Sequence, residues 1–241
     1  MMKRLDLTLP TAAENLALDE ALVETADGAQ THSELLRLWE PRETFVVIGR
    51  SSPLEKEVNV AWCEKQQIKM FRRSSGGASI VTGPGCLMYA VLLDLKKRPH
   101  LRMLDQAHAT VMETMSSALS NIGIETQIQG TCDLTIHGRK VSGNALRVKR
   151  NFLIYHGTMI CDFDTATISQ CLGTPVRQPD YREGRSHEQF LASIPATTEQ
   201  LRTAIAKAWQ AEEAASEWPE ELTQKLADEK YRSDEWLRRV V

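Results

Sequence analysis

The sequence predicts a single α+β domain that ends in a helical segment, and three observations predict it. An amphipathic helix near the N-terminus gives way to short β-branched strands. The stretch from Glu125 to Phe163 alternates apolar and polar residues between turns, as an antiparallel meander does. No repeat, low-complexity run or linker divides the 241 residues, so the core is expected over about residues 1–195 and the helical end over 196–241. With 42% hydrophobic and 25% charged residues, the chain has the composition of a soluble globular domain.

Taken in order, Thr11-Ala12-Ala13-Glu14 has the form of a capping box, and Leu18, Ala21, Leu22 and Ala26 follow at helical spacing, predicting a helix from about Ala12 to Thr25. Leu35–Glu40 and Thr44–Gly49, rich in β-branched and aromatic residues and separated by Pro41, predict a hairpin or a neighbouring strand pair. Val58–Gln67 reads as a short helix and Ile68–Arg72 as a strand, which Ser74-Ser75-Gly76-Gly77-Ala78-Ser79 interrupts. Cys86–Leu93 is a nearly unbroken apolar run of strand length, predicting a central strand covered by the helix Leu104–Asn121, which Gly123 stops. The meander comprises Leu134–Ile136, Lys140–Val148 and Phe152–Cys161, with turns at His137-Gly138 and near Arg150-Asn151. A short helix at Thr165–Leu172 leads into a polar loop, Gly173–Ser186, expected to be mobile or a contact surface. From Thr198 the pattern is helical, with Trp209, Trp218 and Trp236 spaced along it.

Composition removes several function classes. A formal net charge of -3, from 29 basic and 32 acidic residues, leaves no surplus for neutralising a nucleic-acid backbone. No apolar run approaches the ~20 residues of a membrane helix, and the chain reads as cytoplasmic. Five cysteines are scattered without C-x-x-C spacing, so neither a metal site nor a disulfide framework is expected.

Two stretches carry chemistry. In Arg72-Arg73-Ser74-Ser75-Gly76-Gly77-Ala78-Ser79-Ile80-Val81, glycines let backbone N–H groups approach an anionic ligand, and two arginines supply forked donors for phosphate or carboxylate. The pattern matches neither G-x-x-x-x-G-K-[ST] nor G-x-G-x-x-G, and by itself Gly-Gly after a strand is also an ordinary bend. In Cys132-Asp133-Leu134-Thr135-Ile136-His137-Gly138-Arg139-Lys140-Val141-Ser142-Gly143, a meander turns Leu134, Ile136 and Val141 to the core and lets Lys140 reach across the open sheet face. A lone lysine in such a place is ordinarily solvated. His156, in an expected central strand, reads as a core hydrogen-bonder, with a base as the other reading.

In this order the two stretches, together with Glu14–Glu20, Thr44–Arg50 and Tyr155-His156-Gly157-Thr158, resemble the lipoate-protein ligase A and octanoyltransferase superfamily, whose catalytic fold is shared with biotin ligases. The resemblance covers nearly the whole chain and implies a biotin/lipoate-ligase-type domain, a mixed and antiparallel sheet flanked by helices. It implies that ATP, with Mg2+, activates lipoate or octanoate as an acyl-adenylate, and that the acyl group passes to a lysine of a lipoyl acceptor domain. The acceptor would belong to a 2-oxoacid dehydrogenase acyltransferase subunit, a glycine-cleavage carrier protein or a similar protein. By the same resemblance, Arg72, Arg73, Gly76, Gly77, Ala78, Ser79, Ile80 and Val81 line the nucleotide and acyl tunnel. Lys140 contacts both the acyl carboxyl and the adenylate phosphate, and Asp133 orients or deprotonates the acceptor lysine.

The chain also departs from the family pattern. Ala78 and Thr82-Gly83 stand where such ligases have a third glycine and a His-Asp pair, so a β-carbon narrows the loop. The resemblance is to a single-domain form lacking the C-terminal accessory domain, with Glu229–Trp236 like the linker that precedes it, so that either a separate accessory subunit supports adenylation as a second partner, or the chain activates its acid alone, or it carries out only the transfer step. Two alternatives accompany the ligase reading. One is an octanoyl or lipoyl transferase that carries a thioester on Cys132 and needs no ATP. The other is a non-catalytic acyl-adenylate-binding subunit, against which the joint presence of Arg73, Gly77 and Lys140 weighs. Biotin ligation is disfavoured because the loop lacks an arginine-interleaved Gly-Arg-Gly.

Overall fold

Two sheets frame the molecule, which is represented by a computed structural model describing residues 2–29, 33–173 and 178–239. The chain opens with strand β1 (Lys3–Asp6) and helix α1 (Ala12–Ala29). The expected capping box starts α1: the Thr11 amide donates to Glu14 Oε2 at 2.9 Å and the Glu14 amide to Thr11 Oγ1 at 3.3 Å. Strands β2 (Leu35–Trp39) and β3 (Phe45–Ile48), helices α2 (Leu54–Glu57) and α3 (Val60–Lys65), and strands β4 (Lys69–Arg72), β5 (Ile80–Thr82) and β6 (Cys86–Asp94) follow. Helix α4 (Leu104–Ser120) then leads to the meander β7 (Gln127–Gln129), β8 (Asp133–Ile136), β9 (Arg139–Val148) and β10 (Phe152–Ile160). The remainder comprises α5 (Thr165–Cys171), α6 (His187–Phe190), α7 (Thr198–Ala208), β11 (Glu213–Ala214), α8 (Glu220–Leu226) and α9 (Asp234–Arg238).

The larger sheet has eight strands in the order β11-β1-β2-β6-β10-β9-β8-β7, and the smaller has three, β4-β3-β5. Strand β6 is buried along its whole length at the centre of the large sheet, as its unbroken apolar run predicts. The meander forms in the expected order, and its β8–β9 turn places His137 (φ 50°) and Gly138 (φ 72°) in the left-handed region that a tight hairpin requires. Helix α4 covers the large sheet through Val111, Met112 and Met115, which share one core cluster with Leu87, Val91 and Tyr155.

Two expectations are corrected. The runs on either side of Pro41 do not pair: β2 lies between β1 and β6 in the large sheet, and β3 lies in the small one. Pro41-Arg42-Glu43 lacks the Asn-Gly or Asp-Gly chemistry that folds a strand back on its neighbour, so long-range burial decides the pairing. The C-terminal part is not continuously helical, because β11 adds a parallel edge to β1. Of the polar loop Gly173–Ser186, residues 174–177 lie outside the described residues, while Asp180–Arg182 forms a 3-10 turn. Among the described residues no helix is long and apolar enough to cross a membrane.

Candidate active site

Between the two sheets lies a cavity of ≈ 180 Å³, lined by α1, β2, β3, the glycine loop and β5, β6, β9 and β10, and bordered by α5 and α6. Most of its wall is apolar. Its polar groups fall into two clusters that differ in burial.

At the mouth, Lys140 reaches into the cavity from the start of β9, as the meander pattern requires. Its Nζ lies 2.8 Å from Asp133 Oδ1 on the neighbouring strand, and Tyr181 donates its hydroxyl to Asp133 Oδ2 at 2.7 Å. A carboxylate held on both oxygens keeps the lysine in one orientation. Gly143 makes room for this, since a Cβ there would stand 3.0 Å from Lys140 Nζ. Arg182 and His187 line the same end, and burial followed by the Arg182 and Lys140 charges depresses the His187 pKa despite its bond to Gly173 O. The mouth therefore presents cations toward the cavity, suited to an anionic ligand.

The inner cluster is built on Asp19 of α1. Arg37 Nη1, fully buried on β2, donates to Asp19 Oδ1 at 2.6 Å, and Asp19 Oδ2 lies 3.1 Å from His156 Nδ1. His156 Nε2 is 2.6 Å from Ser75 Oγ, which also accepts from Arg73 Nε at 3.1 Å. With the Ser75 oxygen occupied as an acceptor, its hydrogen is free to point at His156 Nε2, which leaves the Nδ1 hydrogen for Asp19. Burial raises the Asp19 pKa, but Arg37 and the His156 bond outweigh it and hold the carboxyl below the usual range. His156 is thus both the satisfied hydrogen-bonder and a wall residue of the cavity.

The adjacent arginines of the glycine loop point to opposite faces of β4, because side chains alternate along a strand. Arg73 lines the cavity, yet its guanidinium serves the loop itself, donating to the carbonyls of Val47 at 3.3 Å, Gly76 at 2.5 Å and Ala78 at 3.0 Å. Burial pushes its pKa down to about 10, so it remains a cation at neutral pH. Arg72 stands apart from the cavity, contrary to its expected ligand-binding place. It donates to Gly49 O and Ser52 O, each at 2.8 Å, and to Leu237 O of α9 at 2.8 Å. Ala78, Ser79, Ile80 and Val81 line the cavity, whereas Gly76 and Gly77 are exposed outside its wall. Gly77, at φ +89°, puts its carbonyl where a Cβ on Gly49 would meet it at 1.8 Å, so the loop closes only over a glycine. Ser79 is fixed by Glu57, whose Oε2 accepts from its amide at 2.8 Å and its hydroxyl at 2.7 Å.

Cys132 is half-buried beside the site, and its Sγ donates to Asn144 O at 3.3 Å. Burial, then the Asp133 charge, raises its thiol pKa, the opposite of what an activated thiolate needs. Among the described residues no group of three or more His, Cys, Asp or Glu side chains could hold a metal ion.

Asp19, Arg37, Tyr181, Arg182 and His187 escaped the sequence reading. Arg37 left one signal: a charged residue inside Leu-Leu-Arg-Leu-Trp must be paired if that run is buried. The others come together only through folding.

Comparison with known proteins gives a family model, the lipoyl protein ligase A/B catalytic domain, that matches residues 11–223. Five of the curated lipoate-protein ligases match at 25–31% identity, and the chain spans about half their length, 41–55%. Octanoyltransferase LipM of Carboxydothermus hydrogenoformans is 24% identical over 258 residues, covering 95% of both chains. Among solved structures, a bipartite lipoate protein ligase of Thermoplasma acidophilum, studied with its E2 lipoyl domain, superposes with a TM-score of 0.82 at 21% identity, covering 99% of this chain and 96% of that one. A lipoate-protein ligase A bound with ATP gives a TM-score of 0.79 at 20% identity over 99% of each chain. At such identities these structural likenesses establish the fold, which is the expected α+β catalytic fold.

Proposed function

The chain belongs to the lipoyl protein ligase A/B catalytic-domain family, and from that premise we propose that it is a lipoate-protein ligase, activating lipoate or octanoate with ATP and passing the acyl group to a lysine of a lipoyl acceptor domain. The carrying observation is the Lys140–Asp133 pair, 2.8 Å apart, at the cationic mouth of a largely apolar cavity. An acid with a hydrocarbon chain places the chain in the cavity and its carboxylate at Lys140. The carboxylate oxygen attacks the α-phosphorus of ATP, the bond to the β-phosphate breaks, and pyrophosphate leaves. In the second step the neutral amine of the acceptor lysine attacks the acyl carbonyl and AMP departs.

Lys140 acts in both steps as an electrostatic clamp, its ammonium facing the charge that develops on phosphoryl and carbonyl oxygens. Asp133 holds Lys140 in place and is the carboxylate available to take the proton the acceptor amine must lose. Magnesium would be held by the nucleotide phosphates and water, since Lys140 and Tyr181 engage both oxygens of Asp133. Its chemistry is to neutralise phosphate charge. A separate accessory subunit is a proposed second partner, supported by the solved relative described as bipartite. ATP use is supported by the solved relative described with ATP bound.

Lipoate-dependent exchange of pyrophosphate into ATP tests the first step. Exchange is expected, with the protein alone or with a candidate accessory subunit; its absence under both conditions refutes the ligase reading. The full-length likeness to an octanoyltransferase favours a second reading, thioester transfer through Cys132. The raised thiol pKa weighs against it. Intact mass after incubation with an octanoyl carrier, with and without Cys132→Ala, decides: an acyl adduct lost in the variant establishes the transferase.

A further inference from the structure

The carbonyls of Ser75, Gly76, Gly77 and Ala78 in the glycine loop are all tied down, by two elements in alternation. Arg73 donates to Gly76 O and Ala78 O. The turn at residues 49–52 holds the other two: the Arg50 amide donates to Ser75 O at 2.8 Å, and Ser52 Oγ to Gly77 O at 3.2 Å. By contrast, the amides of Gly76, Gly77 and Ala78 donate to none of the described residues. With its carbonyls engaged and its N–H groups unmatched, the loop offers donors to an anion. Its far end is fixed separately, since Glu57 holds Ser79.

Arg72 in turn holds the 49–52 turn. It is 1% exposed, and among the described residues all its acceptors are backbone carbonyls on two segments. Nη1 spans the turn, donating to Gly49 O and Ser52 O. Nε donates to Trp236 O at 3.1 Å and Leu237 O at 3.0 Å, and Nη2 to Leu237 O. These are carbonyls of the last turn of α9, which have no partner inside the helix and attract a cation. The contact is reciprocal, because Trp236 Nε1 donates to the Arg72 carbonyl at 2.7 Å. Helix α9 is itself anchored on α1, where Glu20 Oε2 accepts from Lys230 Nζ at 2.7 Å and from the Tyr231 hydroxyl at 2.9 Å.

Resting on the reading of the glycine loop as a nucleotide cradle, we propose that Arg72 is a positioning residue for the adenylation step. It touches no substrate; it sets ATP affinity by fixing the 49–52 turn, with α9 as the support it works against. Loosening either end frees the Ser75 and Gly77 carbonyls and misaligns the amides between them. Lys140 shares none of these bonds, so the hold on an acyl carboxylate is unaffected.

The test measures Kd for ATP and for (R)-lipoate calorimetrically, in the intact protein and in Ser52→Ala, Trp236→Phe and Arg72→Lys. Ser52→Ala removes the tie to Gly77 O and leaves Arg72 in place. Trp236→Phe keeps a ring and removes the N–H that meets the Arg72 carbonyl. Neither Ser52 nor Trp236 lines the cavity. Each variant is expected to weaken ATP binding about fivefold, the contribution of one hydrogen bond. Arg72→Lys, which cannot span both sets of carbonyls, should weaken it about thirtyfold, the contribution of two. Lipoate affinity should stay within about twofold throughout, whereas a general loss of structure weakens both ligands together. An ATP Kd unchanged in Ser52→Ala or in Trp236→Phe overturns the inference, even if Arg72→Lys fails to fold, and so does an equal loss for both ligands; the ligase reading survives either result. If the wild-type protein binds no ATP, with or without lipoate, both fall.

Discussion

The two polar clusters of the cavity share a basic group paired with an aspartate, and they differ in what surrounds the pair. At the mouth, Lys140 and Asp133 meet at 2.8 Å with solvent nearby, and their one further side-chain partner among the described residues is the Tyr181 hydroxyl on Asp133. At the inner wall, Arg37 and Asp19 meet at 2.6 Å without solvent, and Asn15, His156 and the Leu7 carbonyl add further bonds, leaving Arg37 Nε without a partner among the described residues. An ion pair open to solvent exchanges its partner for an incoming anion at little cost, whereas a sealed pair loses far more when either member goes. The contrast favours the proposed chemistry at the mouth and a positioning role for the inner wall.

Breaking the inner pair should have the largest effect. Arg37→Met leaves the Asp19 charge buried with half its partners and is expected to cost about 3–5 kcal/mol of stability in denaturant unfolding; a loss below 1 kcal/mol would show that the cluster opens to water. At the mouth the effect moves from stability to rate. Lys140→Ala should remove roughly 2.7–4 kcal/mol of transition-state stabilisation, the scale of one preorganised donor, with little change in thermal midpoint. Near-normal pyrophosphate exchange in that variant removes Lys140 from its role.

A smaller change sharpens the comparison. Tyr181→Phe takes away one hydrogen bond on Asp133 and is expected to lower activity by about 1–1.5 kcal/mol equivalent, read as kcat/KM, while leaving folding intact. The smallest expected effect is the acid limb of stability. Because the folded-state Asp19 pKa lies below its ordinary value of 3.8, its ionised form stabilises the protein fully above that value. This contribution is lost as pH falls through the depressed pKa. Asp19→Asn should therefore flatten the stability profile below pH 3.8 and leave the neutral profile parallel to wild type, as thermal melts across the acid range would show.

Arg72 and Arg73 show where sequence reading stops. Both invite the same ligand-binding role on residue type, yet one lies 2.8 Å from Leu237 O of the C-terminal helix and the other braces the loop that walls the cavity. The alternation of strand side chains separates them, but which face meets the cavity depends on the partner sheets. His156 and Asp19 are 137 residues apart, so no local pattern links them. The resemblance to a family of known sites marked Lys140 and Asp133, and the fold sets them on adjacent strands.

The sequence by itself determined the elements whose residues speak within a few positions: the capped helix α1, the amphipathic α4, the buried strand β6 and the meander with its His137-Gly138 turn. Capping, periodicity and turn chemistry are local interactions, and they hold before the chain is closed. Only the tertiary structure decided that the runs flanking Pro41 join different sheets, that Arg72 serves the C-terminal helix, and that Trp39, Asp19 and His156 line one cavity. Those outcomes follow from which buried faces close on one another across the whole chain, a choice made by long-range burial and polar satisfaction.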